Sequence, residues 1–211
     1  MKRTLCLLLA AVFVCALFGC TPASSANQVT TPLKPVIYLY PETITDVTVT
    51  LDYAGALTCT YPAYENGWSV TAHPDGTLID GAGQSYSYLY WEGDDTDFAN
   101  FSEGFCIPGE DTAAFLEESL ASLGLNRREA NEFIVYWLPL MEDNAYNLIS
   151  FQADTYTDIA RLSVEPAPDT TIRVFMAWKP MEEPMEIAPQ SLTAPERTGF
   201  VLVEWGGGMV E

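Results

Sequence analysis

Apolar positions in this chain fall into short runs and alternations, with helical spacing confined to one central stretch. Residues 36–40, Val-Ile-Tyr-Leu-Tyr, are continuously apolar or aromatic and are stopped by Pro41, which predicts a buried strand. Val47, Val49 and Leu51 alternate with Thr48, Thr50 and Asp52, the period of two expected of a half-buried strand. Further strand-like segments at 56–61, 67–72, 77–79 and 85–91 are separated by Pro, Gly, Asn and Asp, a spacing that suggests an antiparallel meander. Strand character resumes at 147–152, 160–164, 171–178 and 199–205.

Between these halves the period changes to that of a helix. Asp111 is placed to cap a helix carrying Phe115, Leu116, Leu120 and Leu123 on one side, and Gly124 ends it. Asn126, with Glu129 three residues on, forms a capping-box signature for a second helix with Ala130, Phe133, Ile134 and Trp137 on one face, which Pro139 is expected to stop. The fold class that follows is α+β: an antiparallel, sandwich-like β domain with an inserted helical hairpin packed on one sheet face.

The first 33 residues do not belong to that pattern. Lys2 and Arg3 precede an uncharged apolar run from Thr4 to Phe18, the layout of an export signal, and the run is shorter than the ~20 residues of a membrane-spanning helix. Leu17-Phe18-Gly19-Cys20 looks like a bacterial lipobox, in which Cys20 carries diacylglycerol and becomes the mature N-terminus. Cleavage after Ala23 or Ala26, as in an ordinary secretory peptide, is the alternative. The organisation expected is a signal peptide at 1–19, a flexible Ser/Thr/Ala/Asn tether at 20–33 and a single α+β domain at 34–211. Lipid chains hold the membrane at about 0.8 kcal/mol per buried methylene, so the expected location is the outer face of the cell membrane.

Composition narrows the partners. The chain has 211 residues, with 29 acidic against nine basic side chains and a formal charge of −20; without Lys2 and Arg3, seven basic residues remain. Nucleic acid needs clustered Lys and Arg to neutralise phosphates, so it is excluded as a partner. Of the five cysteines, Cys6 and Cys15 leave with the signal and Cys20 takes lipid, leaving Cys59 and Cys106. Outside the cytoplasm these two can oxidise to a disulfide that would add about 4 kcal/mol by chain entropy, or remain as two separate thiols.

The segments Lys34-Pro35-Val36-Ile37-Tyr38-Leu39-Tyr40-Pro41, Tyr90-Trp91-Glu92-Gly93 and Phe133-Ile134-Val135-Tyr136-Trp137-Leu138-Pro139 resemble those of a family of uncharacterised proteins, many of them bacterial and exported. The resemblance extends over most of the chain after the tether. It implies no activity and carries no catalytic residue.

Chemistry must therefore be sought in the residues themselves. The one histidine, His73, sits beside Pro74-Asp75-Gly76 in an expected turn, and no Gly-x-Ser-x-Gly or His-Glu-x-x-His occurs, which argues against nucleophilic triads and zinc catalysis. Gly206-Gly207-Gly208 reads as a frayed end rather than a phosphate loop. Glu92, Asp94, Asp95, Asp97 and Glu103 crowd one region without EF-hand spacing and read as a solvated acidic loop, so neither metal nor cofactor is expected. Two sites remain. Glu92 and Glu204 each adjoin a tryptophan at a strand end, and if they meet they form the carboxylate pair a glycosidase needs. Tyr86, Tyr88 and Tyr90 alternate, so on a single strand they share a face and either stack on sugar rings or pack against the hairpin. The function expected is a noncatalytic, lipid-anchored surface protein binding an envelope glycan, protein or other component, with a glycan-acting hydrolase as the alternative.

Overall fold

The computed structural model describes residues 34–94 and 99–210. Among these residues, twelve strands form two sheets. In spatial order, the larger sheet comprises β3 (Leu57–Tyr61), β7 (Leu89–Gly93), β1 (Val36–Tyr40), β12 (Val201–Met209), β11 (Thr170–Met181), β9 (Tyr146–Phe151) and β8 (Phe105–Pro108). The smaller comprises β10 (Ala160–Glu165), β2 (Thr45–Tyr53), β4 (Trp68–Ala72), β5 (Leu78–Asp80) and β6 (Ser85–Tyr86). Pairing between described strands is antiparallel except for β11 beside β12, which run parallel. Helices α1 (Thr112–Ser122) and α2 (Arg127–Met141) cover the outer face of the larger sheet, and a short α3 (Ala153–Ile159) joins β9 to β10. The fold is thus a mixed α+β architecture, a β-sandwich with a helical insert.

The larger sheet is buried on both faces, which is why its central strands read as continuous apolar runs. Ile37 and Leu39 of β1, Leu202 of β12 and Phe175 of β11 enter the core between the sheets, with Val47, Val49, Trp68 and Val70 opposite. Their chain neighbours Val36, Tyr38, Val203, Trp205, Val174 and Met176 face the helices and meet Leu120, Phe133 and Trp137. Phe133 and Trp205 make an edge-to-face contact with centroids 5.3 Å apart.

The hairpin is built by the signals its sequence carries. Asn126 accepts from the Glu129 backbone N–H at 3.0 Å, while the Glu129 carboxylate accepts from the Asn126 N–H at 2.8 Å, forming the capping box. Gly124 has φ +89°, and the N–H groups of Gly124 and Leu125 donate to Ala121 and Leu120 carbonyls, closing α1 with a Schellman motif. Asp111 stands at the start of α1, but its side chain makes no capping bond.

Pro139 does not stop α2, which continues to Met141. The Val135 carbonyl it deprives of a partner belongs to a residue 66% exposed, so water can serve in place of the missing N–H. Gly206-Gly207-Gly208 is a buried part of β12 paired with Phe175, Met176 and Ala177, not a frayed end. A Cβ on Gly207 would lie 2.7 Å from the Met176 carbonyl oxygen and 3.0 Å from the Trp137 ring, so close packing demands glycine there. The segment 85–91 is two strands in different sheets. Short strand β8 and helix α3 carry no strong periodic signal and were not expected.

Residues 182–200 link the parallel strands β11 and β12 as a long strap. It runs along the outer edge of β8, where the Gly104 N–H donates to the Ala188 carbonyl at 2.8 Å. The Gln190 amide then accepts from the Phe151 N–H at 2.7 Å and donates to its carbonyl at 2.9 Å, as a strand backbone would. Arg197 fastens the strap to the hairpin by two 2.9 Å bonds to the buried Glu129 carboxylate and one of 3.1 Å to the Gly124 carbonyl.

Candidate functional site

An ion pair lies between the sheets. Glu204 interrupts the apolar run of β12 and Arg173 that of β11, and register places them side by side in the parallel pair. Arg173 Nε donates to Glu204 Oε2 at 2.6 Å, and the two side chains are 9% and 0% exposed. Glu204 Oε1 accepts from Trp91 Nε1 at 3.1 Å and from the Tyr156 hydroxyl at 3.0 Å. Tyr156 stacks on Phe175 at 4.3 Å, and the Arg173 guanidinium sits 4.6 Å from the Tyr156 ring centroid. Burial, reinforced by the Glu204 charge, holds the Tyr156 hydroxyl well above its ordinary ionisation range. Burial works against the Arg173 charge, but Glu204 and Tyr156 more than offset it and the net shift is upward. A general acid, base or nucleophile must reach substrate. Both Glu204 oxygens are engaged inside the protein, so this carboxylate is a structural counter-ion.

Above Arg173 a cleft opens where edge strand β10 departs from β11. Thr157, Arg161, Leu162, Val164, Pro168 and Leu202 contribute to its walls, together with Arg173 itself, and its volume is about 580 Å³. Arg173 is part of the lining, and its Nη2 is buried without a hydrogen-bond partner.

Glu92 is not part of this centre. Trp91 points into the core between the sheets, so its neighbour Glu92 lies on the opposite face, by Lys34, Tyr90 and Tyr136 under the hairpin. The larger sheet therefore separates Glu92 from Glu204, and the carboxylate pair of a glycosidase is not formed.

An "Uncharacterized protein in bglA 3'region" of Butyrivibrio fibrisolvens is 43% identical over 96 residues, spanning 44% of this chain and 98% of that protein. The chain belongs to that protein's family. No protein-family model matches, and no solved structure matches. The kinship brings no activity with it, so the reading of the site rests on its geometry.

The tyrosine row is divided. Tyr86 ends in the smaller sheet, where its hydroxyl donates to Asp80 at 2.8 Å and its ring meets Tyr61 edge-on. Tyr88 and Tyr90 turn to the hairpin side, Tyr88 against Tyr38 with centroids 5.4 Å apart. Alternation continues through 86–90, but the chain changes sheets at 87–88, so no three-ring platform exists. The disulfide expectation also fails. Cys59 lies on β3 and Cys106 on β8, the two edges of the seven-stranded sheet, and both are free. Six strand spacings of about 4.8 Å put them on the order of 29 Å apart, whereas bridged Cα atoms must lie within about 7 Å. His73 occupies the expected turn, its N–H donating to the Thr77 carbonyl. Asp94 is used locally, accepting from the Ala56 N–H at 2.6 Å. Cys20, Asp95 and Asp97 lie outside the described residues.

Arg173 and its cleft escaped the reading of the chain. The signal was present: Glu204 is the single charge in Val201–Trp205, and Arg173 the single charge in Ile172–Met176. Opposite charges isolated in two apolar strands must find each other if both strands are buried.

Proposed function

We propose that this protein is a lipid-anchored surface module, attached through Cys20, that binds an envelope component or partner without catalysing a reaction. The observation that carries this reading is an open cleft with the largely buried Arg173 in its lining, while the partner carboxylate Glu204 is fully buried and committed to Arg173, Trp91 and Tyr156. The anchor rests on Leu17-Phe18-Gly19-Cys20 and the polar stretch that follows it. No helix among the described residues is long and apolar enough to cross a membrane.

Two measurements test the reading. Cells expressing the full chain and fed radiolabelled palmitate should yield a labelled membrane-bound protein, and Cys20→Ser should abolish the label. The lipidated protein in nanodiscs should then cosediment with isolated envelope. Absence of label would overturn the anchor, and equal recovery in the supernatant with and without envelope would overturn binding.

A further inference from the structure

We infer that the cleft between β10 and the first half of β11 receives an oxyanion, carboxylate or phosphate, borne on a short apolar stem. This deepens the binding function proposed above and rests on it.

Seven cationic Lys and Arg side chains lie among the described residues of a chain with 29 acidic ones, and two of them, Arg161 and Arg173, line this one cleft. The other arginines are spoken for: Arg127 pairs with Glu117, Arg128 with Glu132 and Arg197 with Glu129. Arg161 makes no ion pair with a described residue. Arg173 spends its Nε on Glu204, yet its Nη2 is buried with no acceptor. A buried donor left unmade is costly, and a guanidinium is a planar fork suited to two oxygens of one ligand group.

The local structure keeps the place open. Strand β9 pairs with β11 from Met176 to Met181, so the stretch of β11 holding Thr171 and Arg173 has β12 on one side and no described strand on the other. β10 is the edge strand of the smaller sheet and leaves its Arg161 exposed. Asp158 is the one acidic residue in the lining; it disfavours a highly charged anion and suits a group of low charge. The remaining walls are largely apolar, from Leu162, Val164, Ala167, Pro168 and Leu202. Arginines beside an apolar trough match a ligand with one charged end and a hydrocarbon body.

The test is a calorimetric titration of the lipidated full chain in nanodiscs, with empty nanodiscs as the blank. The probes are hexanoate, hexyl phosphate, acetate and hexanol. Hexanoate or hexyl phosphate should bind, and the stronger of the two identifies carboxylate or phosphate as the preferred head. Acetate and hexanol should each bind at least about tenfold more weakly, the loss expected when one class of contact is removed. Arg161→Gln should weaken the preferred probe by about tenfold, and Arg127→Gln, on the remote helical hairpin, should leave it unchanged. Absence of heat from both anionic probes would overturn the inference. So would hexanol binding as well as hexanoate, acetate matching hexanoate, or equal losses in the two arginine variants. If Arg161→Gln still cosediments fully with envelope while the probes fail, the cleft assignment falls and the surface-binding function stands. If the probes bind while the parent fails to cosediment, the function falls and the cleft remains.

Discussion

Replacing Glu204 by Gln removes one charge while keeping shape and an oxygen for Trp91 Nε1 and the Tyr156 hydroxyl. What it leaves is an Arg173 guanidinium 9% exposed, inside the sandwich, without its counter-ion. Breaking one partner of a buried pair costs about 3–5 kcal/mol, because the surviving charge has paid its desolvation for nothing. Against a total stability of roughly 5–15 kcal/mol for a domain, that is a large share. Arg173→Met should cost a similar amount, since it strands the carboxylate instead. The double variant carries no buried charge and retains the acceptor for Trp91 and Tyr156, so its loss should be about 3 kcal/mol or more below the sum of the two singles. Urea unfolding followed by tryptophan fluorescence measures all four proteins, with Trp91 reporting directly on the centre. A Glu204→Gln loss below about 1 kcal/mol, or strictly additive losses, would refute the assignment of this pair as a buried, mutually dependent unit.

Alkaline stability should be limited by tyrosine. Burial first, and then the carboxylates Glu132, Glu129, Glu92 and Glu204 respectively, hold Tyr38, Tyr40, Tyr90 and Tyr156 above their ordinary range. Their contribution is complete below pH 10 and is lost above it, as the unfolded chain ionises first, by at most about 1.4 kcal/mol per tyrosine per pH unit. Lys34, lowered by burial, acts in the other direction but is one group against four. Circular dichroism should therefore change above pH 10, and the full 295 nm absorbance of tyrosine ionisation should be reached only together with that change; complete tyrosine ionisation with unchanged dichroism would contradict this. Gly207→Ala should cost roughly 1–3 kcal/mol through overpacking against Met176 and Trp137, whereas Gly81→Ala, with nothing within 4 Å, should be nearly neutral in thermal melts. Cys59 and Cys106 should both alkylate without prior reduction, and a mass two units low with both protected would show the bridge that their positions on opposite sheet edges preclude.

The hairpin was legible because its signals are local: Asn126, Glu129 and Gly124 act on neighbours within one turn. The two-layer core was legible in the alternation of Val47, Val49 and Leu51. What escaped depends on residues distant in sequence. Gly206-Gly207-Gly208 looks flexible until Trp137 and Met176 are brought against it. Tyr86, Tyr88 and Tyr90 keep their alternation while the chain crosses from one sheet to the other, a change that period alone does not register. Cys59 and Cys106 are an even pair by count, but strand order decides their separation. The carboxylates at 92 and 204 share a chemical neighbourhood, each beside a tryptophan, and yet the pleat assigns them to opposite faces.

The strap at 182–200 has a consequence for how copies of the protein meet. An open sheet ends in a row of unpaired N–H and carbonyl groups that can template addition of another chain. Here the chain's own Ala188 accepts from the Gly104 N–H just before β8, the Gln190 amide pairs with Phe151 at the end of β9, and Pro184, Pro189 and Pro195 remove donors from the covering segment itself. The strap on that flank, pinned by Arg197 to Glu129, thus stands where an added strand would approach and disfavours growth of the sheet from one molecule into the next on that side. Protection of that sheet edge in this way falls to a segment that belongs to neither sheet.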